Sequence, residues 1–371
     1  TEAGTFLVKD IEPDGSANPN ALTNADGTLY FTARMPDNYW GLWKTDGTEA
    51  GTVAVTQAVH SNSWLYSHED LVYFLGQDPD TGDELWRTDG TEAGTFLLQD
   101  IRVGTGSGNA SKLTGVNGTV FFVADDGVHG RELWKTDGTS EGTVLLRDIR
   151  AGGETSLIDD ITPAFGKVIF KANDGLVGSE LWMSDGTVAG TRLLKDLYPG
   201  SESSSPNEFF QAPGGTVYFE ARDALHGWEL WKTDGTAGGT VLVADVNPAT
   251  DDARPVAPVQ MGGEWYWLAY ETDTDLSLWR SDGTSAGSSR VAALPGGMPW
   301  HDSLLFAASG RVYFSLYTPG AGLELWVSDG TTTGTHLLKD INPGDGDSEP
   351  CGLAEVAEER LGVGTAPLSE L

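Results

Sequence analysis

The stretch ELWKTDGTSEGT, residues 132–143, decides the fold because the chain repeats it. Close variants begin at six further positions: Gly41, Glu84, Glu180, Glu229, Ser277 and Glu324. The tryptophans of the seven copies lie 43 to 49 residues apart along the chain. Self-similarity at a nearly fixed period is typical of a repeat architecture, in which each copy is one supersecondary unit.

One repeat reads as four short β-strands. Around the quoted copy these are KLTGV (112–116), GTVFFVADD (118–126), RELWKTD (131–137) and TVLLRDI (143–149). Gly, Asp and Asn separate the four stretches, and none of them shows helical periodicity. Four strands in each period of this length predict an all-β protein, a β-propeller built of four-stranded antiparallel blades.

The two ends of the chain set the predicted number of blades. Residues 353–371 align with the first two strands of a repeat and the start of the third, whereas residues 1–11 (TEAGTFLVKDI) read as a fourth strand. Joined, they make an eighth blade, and the N-terminal strand closes the ring so that no sheet edge stays exposed. The sequence therefore predicts a single eight-bladed domain over 1–371, with blades at 12–57, 58–102, 103–150, 151–198, 199–247, 248–294, 295–342 and 343–371 plus 1–11. A seven-bladed ring with trailing ends is the alternative.

The composition excludes several classes of partner. Asp and Glu outnumber Lys and Arg by 55 to 22, for a formal net charge of −33. Nucleic acids and anionic membrane surfaces would be repelled by such a chain. No apolar stretch approaches the roughly 18 residues of a membrane-spanning helix, so we expect no membrane insertion. Bound cations, a cationic partner or a salty medium remain open, as does the oligomeric state.

The repeated phrase itself predicts structural roles. Leu and Trp alternate along the third strand, so each faces a different neighbouring blade, and a buried Trp contributes a large apolar area. In the DGTxxGT turn the Asp can accept backbone N–H bonds, while glycine allows positive φ. Two copies fit the nucleophile pattern G-x-S-x-G, at 138–142 and 283–287, but no strand-to-helix elbow is predicted there.

The phrase resembles the ELWxxDGT repeat, which occurs in tandem in acidic, exported bacterial proteins. The resemblance covers nearly the whole chain, although the copies at Gly41 and Ser277 depart from it. It implies an extracellular or cell-surface location and a non-catalytic surface role.

Carboxylates recur within the repeats as a set. Six units pair a Glu at the start of the third strand with an Asp at the end of the fourth: Glu84/Asp100, Glu132/Asp148, Glu180/Asp196, Glu229/Asp245, Glu324/Asp340 and Glu370/Asp10. The units that carry Gly41 and Ser277 instead of Glu have Gln57 and Ala293 instead of Asp. Like charges opposite one another destabilise a sheet, so something should compensate for them.

Calcium is one candidate for that compensation. Four units add a third carboxylate six residues before the Glu: Asp78, Asp126, Asp174 and Asp223. Carboxylate oxygens suit Ca²⁺ better than Zn²⁺ or Cu²⁺, so the triads of these four units are candidate metal ligands. The alternative is that each Asp caps the following turn, while each Glu accepts backbone N–H bonds or pairs with an Arg or Lys.

Recognition should lie where the repeats deviate from their consensus. Candidate ligand-binding residues fall in the linkers between blades and in the loops between second and third strands: Tyr39, Trp40, His60, Trp64, Tyr66, His68, Met298, Trp300 and His301. Aromatic rings beside Asp and Asn suit a glycan or peptide ligand. The alternatives are that these side chains plug the central hole, or that His60, His68, His301 and Met298 hold a transition metal.

Three functions therefore stay open. The first is an exported module that binds a glycan or protein, stabilised by ring closure and by Ca²⁺. The second is a purely structural segment of a larger surface protein. The third is a hydrolase or lyase, in which Glu69, Asp70 and Asp302, predicted near the mouth of the propeller, serve as acid and base.

Overall fold

The computed structural model describes residues 4–35, 39–57, 59, 63–248, 252–256, 258–272, 274–294, 305–350 and 353. Within these residues every regular element is a β-strand. The strands form seven four-stranded sheets, and in each sheet the order along the sheet follows the order along the chain. The predicted all-β fold and its four-stranded antiparallel units are confirmed to this extent.

The sheets are numbered 1 to 7 along the chain. Sheets 1 to 4 comprise β1 (Asn20–Ala25), β2 (Thr28–Arg34), β3 (Trp40–Thr45), β4 (Val53–Thr56); β5 (Leu65–His68), β6 (Leu71–Asp78), β7 (Gly82–Thr88), β8 (Phe96–Leu97); β9 (Ser111–Val116), β10 (Thr119–Asp125), β11 (Arg131–Thr136), β12 (Val144–Arg147); and β13 (Asp159–Ala164), β14 (Lys167–Asn173), β15 (Ser179–Ser184), β16 (Arg192–Lys195). Sheets 5 to 7 comprise β17 (Asn207–Gln211), β18 (Val217–Asp223), β19 (Gly227–Thr233), β20 (Val241–Leu242); β21 (Val259–Met261), β22 (Glu264–Tyr270), β23 (Leu276–Ser281), β24 (Ser289–Ala293); and β25 (Phe306–Ala308), β26 (Arg311–Thr318), β27 (Gly322–Ser328), β28 (His336–Lys339). None of the described segments is a helix long and apolar enough to span a membrane.

Two irregularities recur from sheet to sheet. The third and fourth strands shift register at the motif Leu and Trp, as between Leu133 and Trp134 in sheet 3. In sheets 1, 3, 4 and 5 the first strand carries a bulge whose residue has a left-handed backbone: Ala21, Lys112, Asp160 and Glu208, with φ of 52°, 57°, 53° and 53°. We call this position the first-strand bulge.

The chain divides into two compact units. Unit 1 contains Thr1–Ala224 and Thr233–Val241, and unit 2 contains Leu225–Lys232 and Leu242–Leu371. Inside unit 1, the motif Leu of one sheet and the motif Trp of the next share one apolar cluster. Leu85 and Trp134 lie together between sheets 2 and 3, and Leu133 and Trp182 lie together between sheets 3 and 4. Neighbouring side chains of the third strand thus face different sheets, as the alternation predicted.

Unit 2 repeats this packing. Leu278 of sheet 6 and Trp326 of sheet 7 belong to one cluster, together with Phe314. The motif leucines of sheets 1 to 6 are at most 2% exposed, and Trp134 and Trp326 are only 7% and 8% exposed. Burial of such large apolar side chains, at about 25 cal/mol per Å², makes the sheet-to-sheet contact the main source of stability.

First strands of neighbouring sheets lie side by side in unit 1. Thr114 Oγ1 donates to Ile161 O at 2.9 Å, which joins β9 to β13. Thr23 Oγ1 donates to Leu65 O at 3.4 Å, which joins β1 to β5. Consecutive sheets are therefore connected both through their apolar faces and along their first strands.

The N-terminal segment 5–11 packs on sheet 1 as a fourth strand packs on the sheet that follows it. Lys9 Nζ donates to Thr52 O at 2.7 Å, and Lys195 Nζ, at the same place in its repeat, donates to Thr240 O at 2.5 Å. Ile11 lies against the cluster of Trp43, as Ile101 lies in the cluster of Trp134. The segment forms no strand, and its predicted partner strands in residues 354–371 lie outside the described residues.

Candidate functional site

The motif turn is held together by its own polar groups. In sheet 3, Asp137 Oδ1 accepts hydrogen bonds from Thr139 N at 2.9 Å and from Thr139 Oγ1 at 2.6 Å, and these bonds lower the pKa of the Asp137 carboxyl. The Thr136 and Thr143 hydroxyls lie 2.7 Å apart across the base of the turn. A Cβ on Gly142 would lie 2.0 Å from Asp137 Oδ1, so only glycine fits there. The DGTxxGT phrase is therefore structural.

The motif Glu is buried and accepts backbone N–H groups. Glu180 Oε2 accepts from Leu197 N at 2.8 Å and Ser204 Oγ at 2.6 Å, and its Oε1 accepts from Ser204 N at 2.7 Å. Four other copies do the same: Glu84 with Arg102 N (3.1 Å) and Gly108 N (2.9 Å), Glu132 with Ile149 N (2.9 Å) and Arg150 N (3.3 Å), Glu229 with Val246 N (3.0 Å) and Asn247 N (3.1 Å), and Glu324 with Ile341 N (3.2 Å), Asn342 N (3.2 Å) and Ser348 Oγ (2.6 Å). All five carboxylates are 0% exposed. Each one ties the third strand to the linker that leads into the next sheet.

Burial changes the acidity of these carboxyl groups. The pKa of Glu84, Glu132 and Glu180 is raised to about 7, chiefly because the charged form loses its water. Their hydrogen-bond donors oppose the rise in pKa, and the neighbouring Asp of the same repeat adds to it. The Glu–Asp proximity that the repeat register predicted is thus present, and N–H donors provide the compensation.

The Asp that follows the fourth strand caps the linker with one of its two oxygens. Asp100 Oδ2 accepts from Gly104 N at 3.1 Å, and Asp148 Oδ2 accepts from Gly152 N at 3.3 Å. The other oxygen, Oδ1, is buried without a hydrogen-bond partner among the described residues in Asp100, Asp148, Asp196 and Asp340. Burial and the nearby Asp174 raise the pKa of Asp196.

The third carboxylates mostly serve their own loops. Asp126 Oδ1 accepts from Val128 N at 2.9 Å and His129 N at 2.8 Å, and its Oδ2 lies 2.7 Å from His129 Nδ1. Asp174 Oδ1 accepts from Leu176 N at 2.8 Å, and Asp78 Oδ1 accepts from Asp80 N at 2.8 Å. Among the residues that the structure describes, no group of three or more His, Cys, Asp or Glu is arranged to hold a metal ion. The calcium triads, including those of Asp223 and Asp245, stay a prediction.

The Glu and the Asp are absent together from sheets 1 and 6. In sheet 6, Ser277 and Ala293 stand where other sheets carry Glu and Asp, and they are directly paired across β23 and β24. In sheet 1, Met35 lies against Gly41 so closely that a Cβ would come within 2.8 Å of its Sδ. Where no Glu binds the linker, the Asp cap on that linker is absent too.

Three of the candidate ligand-binding residues pack internally along β5. Trp64 and Tyr66 are half-buried against the cluster of sheets 2 and 3, and Tyr66 Oη accepts from Gly115 N at 2.7 Å. His68 covers Gly115 so closely that a Cβ there would lie 2.1 Å from its Nδ1. Trp64, Tyr66 and His68 therefore contact their own protein, and the choice between ligand binding and plugging stays a prediction.

The remaining candidates divide into exposed and undescribed residues. Tyr39 is 66% exposed beside β3, and Trp40 begins that strand half-buried. Glu69 and Asp70 are exposed in the turn between β5 and β6. Outside the described residues lie His60, Met298, Trp300, His301 and Asp302. The aromatic binding surface therefore stays a prediction at these positions.

The structure adds a feature that the sequence reasoning missed, a cavity of about 500 Å³ between sheets 3 and 4 of unit 1. It is lined by Lys112, Val123, Arg131, Thr155, Leu157, Ile158, Asp159, Lys171, Ser179 and Ser205. We call it the sheet 3/4 cavity. Its three cations stand out in a chain with only 22 Lys and Arg. A comparison of the repeats at the positions of Lys112 and Lys171 could have signalled it.

No protein-family model matches the sequence, and no curated protein matches it. Solved structures with some similarity include puromycin hydrolase (TM-score 0.41, 14% identity, 90% of this chain and 55% of that chain) and a puromycin-hydrolyzing peptidase of Mycobacterium tuberculosis (0.40, 14%, 88% and 54%). A structure from a study of two prolyl endopeptidases gives 0.41, 10%, 87% and 49%. The chain spans about half the length of these structures. Similarity at this level supports no inference about activity.

Proposed function

We propose that the protein is an eight-bladed β-propeller in which residues 353–371 and the N-terminal segment 5–11 together make the eighth sheet. Support comes from the Lys9–Thr52 and Ile11–Trp43 contacts, which reproduce those of a fourth strand with the next sheet. A groove of about 390 Å³ lies beside this segment, with Phe6 71% and Leu7 76% exposed at its edge. Partner strands would cover these side chains and satisfy the backbone of the segment.

Hydrogen exchange tests this closure. In the full chain we expect the amides of residues 6–9 to be protected, and we expect that protection to fall in a variant truncated after Leu353. Residues 144–147 of β12, which occupy the same place in sheet 3, serve as the internal control. Equal exchange of residues 6–9 in both chains would contradict an eighth sheet made from the two ends.

We also propose that the protein is a non-catalytic, extracellular binding and scaffold module that takes a glycan or protein ligand on the side of its linkers and of its loops between second and third strands. One observation carries the proposal: the repeated Trp, Glu and turn Asp side chains contact their own protein, as at Trp134, Glu180 and Asp137. Residue types vary among the repeats at the first-strand bulges and in the loops. Variable loops on a constant framework suit the recognition of one ligand. Export is supported by the acidic composition and by the repeat resemblance.

A glycan array tests the binding role. We expect a defined set of glycans to bind the wild-type chain and to bind less to Tyr39→Ala, since Tyr39 is exposed and its loss should leave packing intact. Trp64→Ala is the harsher variant because Trp64 also packs between sheets, so its melting temperature must be measured in parallel. A chain that binds neither glycans nor extracellular proteins would instead fit the purely structural alternative.

Calcium is proposed as a stabilising ligand at the linker Asp residues. Its support is the buried, unpartnered Oδ1 of Asp100, Asp148, Asp196 and Asp340, since an uncompensated buried carboxylate oxygen is costly. We expect the melting temperature to rise with added CaCl₂ and to fall in excess EDTA. The Asp148→Asn variant should respond less to both additions. Identical melting curves with CaCl₂ and EDTA would show that calcium does not stabilise the protein.

A further inference from the structure

We propose that the sheet 3/4 cavity binds the carboxylate of an acidic sugar, a hexuronate unit of an oligosaccharide. The inference rests on the proposed binding role and adds to it a ligand class and a place. The cavity lies wholly inside unit 1, and neither the aromatic residues of β5 nor Tyr39 lines it. Its volume of about 500 Å³ falls within the range of small-molecule sites.

The three cations of the cavity occupy positions that vary among the sheets. The residue paired with the motif Leu is Lys171 in sheet 4, but Thr32, Leu75, Val123, Leu268 and Ser315 in sheets 1, 2, 3, 6 and 7. The residue before the motif Glu is Arg131 in sheet 3, but Trp40, Asp83, Ser179, Leu276 and Leu323 take its place in sheets 1, 2, 4, 6 and 7. At the first-strand bulge, Lys112 stands where Ala21, Asp160 and Glu208 stand in sheets 1, 4 and 5. Three separate departures from the repeat thus converge on one cavity.

Neighbouring groups hold these cations in place while leaving donors available. Arg131 Nη1 donates to Asn109 O at 2.9 Å and Nη2 donates to Ser111 Oγ at 2.6 Å, which uses part of its five N–H groups. Lys112 pairs with Asp159, and Lys171 Nζ lies 3.9 Å from Asp160 Oδ2. Each ammonium carries three donors, so both lysines can bind a ligand oxygen without breaking these pairs.

The rest of the lining matches a sugar better than a bare anion. Leu157, Ile158 and Val123 give an apolar wall that suits the C–H face of a pyranose ring. Ser179, Ser205 and Thr155 offer hydroxyls, and Asp159 offers an acceptor for sugar hydroxyls. A hexuronate unit brings one negative charge into the cavity, whereas a phosphate dianion would bring two beside Asp159.

The repeat itself supplies the variants for the test, because other sheets show which residues the backbone accepts. Lys171→Val copies Val123 of sheet 3, and Lys112→Ala copies Ala21, which has the same left-handed backbone. Lys167→Met is the matched control, since Lys167 begins the same strand β14 but does not line the cavity. Calorimetry would measure the binding of trigalacturonate to each chain, with the neutral trisaccharide maltotriose and inorganic phosphate as comparison ligands.

We expect trigalacturonate to bind the wild-type chain and Lys167→Met equally, and to bind Lys171→Val and Lys112→Ala at least about tenfold more weakly, since each loses a charge-assisted hydrogen bond. The affinity should also fall as salt rises. Unchanged affinity in Lys171→Val and Lys112→Ala, equal binding of maltotriose, preference for phosphate, or no binding of trigalacturonate by the wild-type chain would each overturn the inference. Neutral glycans captured on the array would in those cases leave the proposed binding role standing.

Discussion

Sheets 4 and 6 share one design, but sheet 4 carries Glu180 and Asp196 where sheet 6 carries Ser277 and Ala293. Both pair a second-strand aromatic with the motif Trp, as Phe170 with Trp182 and Trp267 with Trp279. In sheet 4, Glu180 binds Leu197 N and both donors of Ser204, whereas in sheet 6 the Oγ of Ser277 has no hydrogen-bond partner among the described residues. Because sheet 6 forms without the Glu, the Glu is not needed to form the sheet. Its hydrogen bonds hold the linker that follows the sheet.

Among the variants that compare sheets 4 and 6, Glu180→Ala should lower the free energy of unfolding the most. It would leave the buried Leu197 and Ser204 N–H groups without acceptors, at about 2 kcal/mol each, so we expect the free energy of unfolding to fall by about 4 kcal/mol. Ser277→Ala is the matched change in sheet 6 and should cost less than about 1 kcal/mol, since no bond is lost. Urea unfolding measures both variants. Similar losses at the two positions would show that the Glu has no special role at the linker.

The second-largest effect should be on the pH dependence of the unfolding free energy, because only a sheet with the Glu contributes to it in this way. The pKa of Glu180 is about 7 in the folded chain against an ordinary 4.5, so the folded state holds this proton to higher pH than the unfolded state. The stability that Glu180 contributes is therefore complete below pH 4.5 and is lost as the pH rises through 7, by up to about 3 kcal/mol. Unfolding free energies at pH 5 and pH 8 should differ less in Glu180→Gln than in the wild-type chain.

The control for this experiment is Glu202→Gln, which removes an exposed carboxylate from the same linker. It should leave the pH dependence as in the wild-type chain. Parallel curves for Glu180→Gln and the wild-type chain would mean that Glu180 takes no part in the titration.

The smallest of the three effects should be the loss of stability from changes at the base of the turn, and it should be the same in sheets 4 and 6. Ser184 and Thr191 hydroxyls lie 2.8 Å apart at the base of the turn in sheet 4, and those of Ser281 and Ser288 lie 2.8 Å apart in sheet 6. Ser184→Ala and Ser281→Ala each remove this bond and also the acceptor of the buried Gly186 N–H or Gly283 N–H, so thermal unfolding should show a loss of about 2 kcal/mol in either variant. A clear difference between them would mean that the two turns are not equivalent, contrary to the shared design.

Much of the fold could be predicted because its signals are local. The ELW phrase carries the two side chains that pack against neighbouring sheets, and DGTxxGT carries most of the hydrogen bonds of its turn, as Asp137 and Thr139 show. The role of Glu180 could only be offered as one of two interpretations, because two of its three donors are backbone N–H groups, which leave no trace in residue type. The eighth sheet, the calcium sites and the aromatic surface stay predictions.

The sheet 3/4 cavity escaped the sequence reasoning for a geometric reason. Lys112, Arg131 and Lys171 belong to different strands of two repeats, and only the packing of sheet 3 on sheet 4 brings them to one cavity. In the sequence each is a single basic residue, and the three positions lie 19 and 40 residues apart. Aromatic residues such as Tyr66 drew attention instead, although their contacts prove to be internal.

The first-strand bulge has a consequence for how such a chain can diversify. Its backbone is left-handed whether the residue is Ala21, Lys112, Asp160 or Glu208, so sheets 1, 3, 4 and 5 already bear the cost of about 1 kcal/mol that this conformation imposes on an L-amino acid. Exchanging one side chain for another there adds no new backbone strain. Natural selection, or a protein engineer, can therefore rewrite the chemistry of these positions one sheet at a time while the scaffold keeps its folding stability.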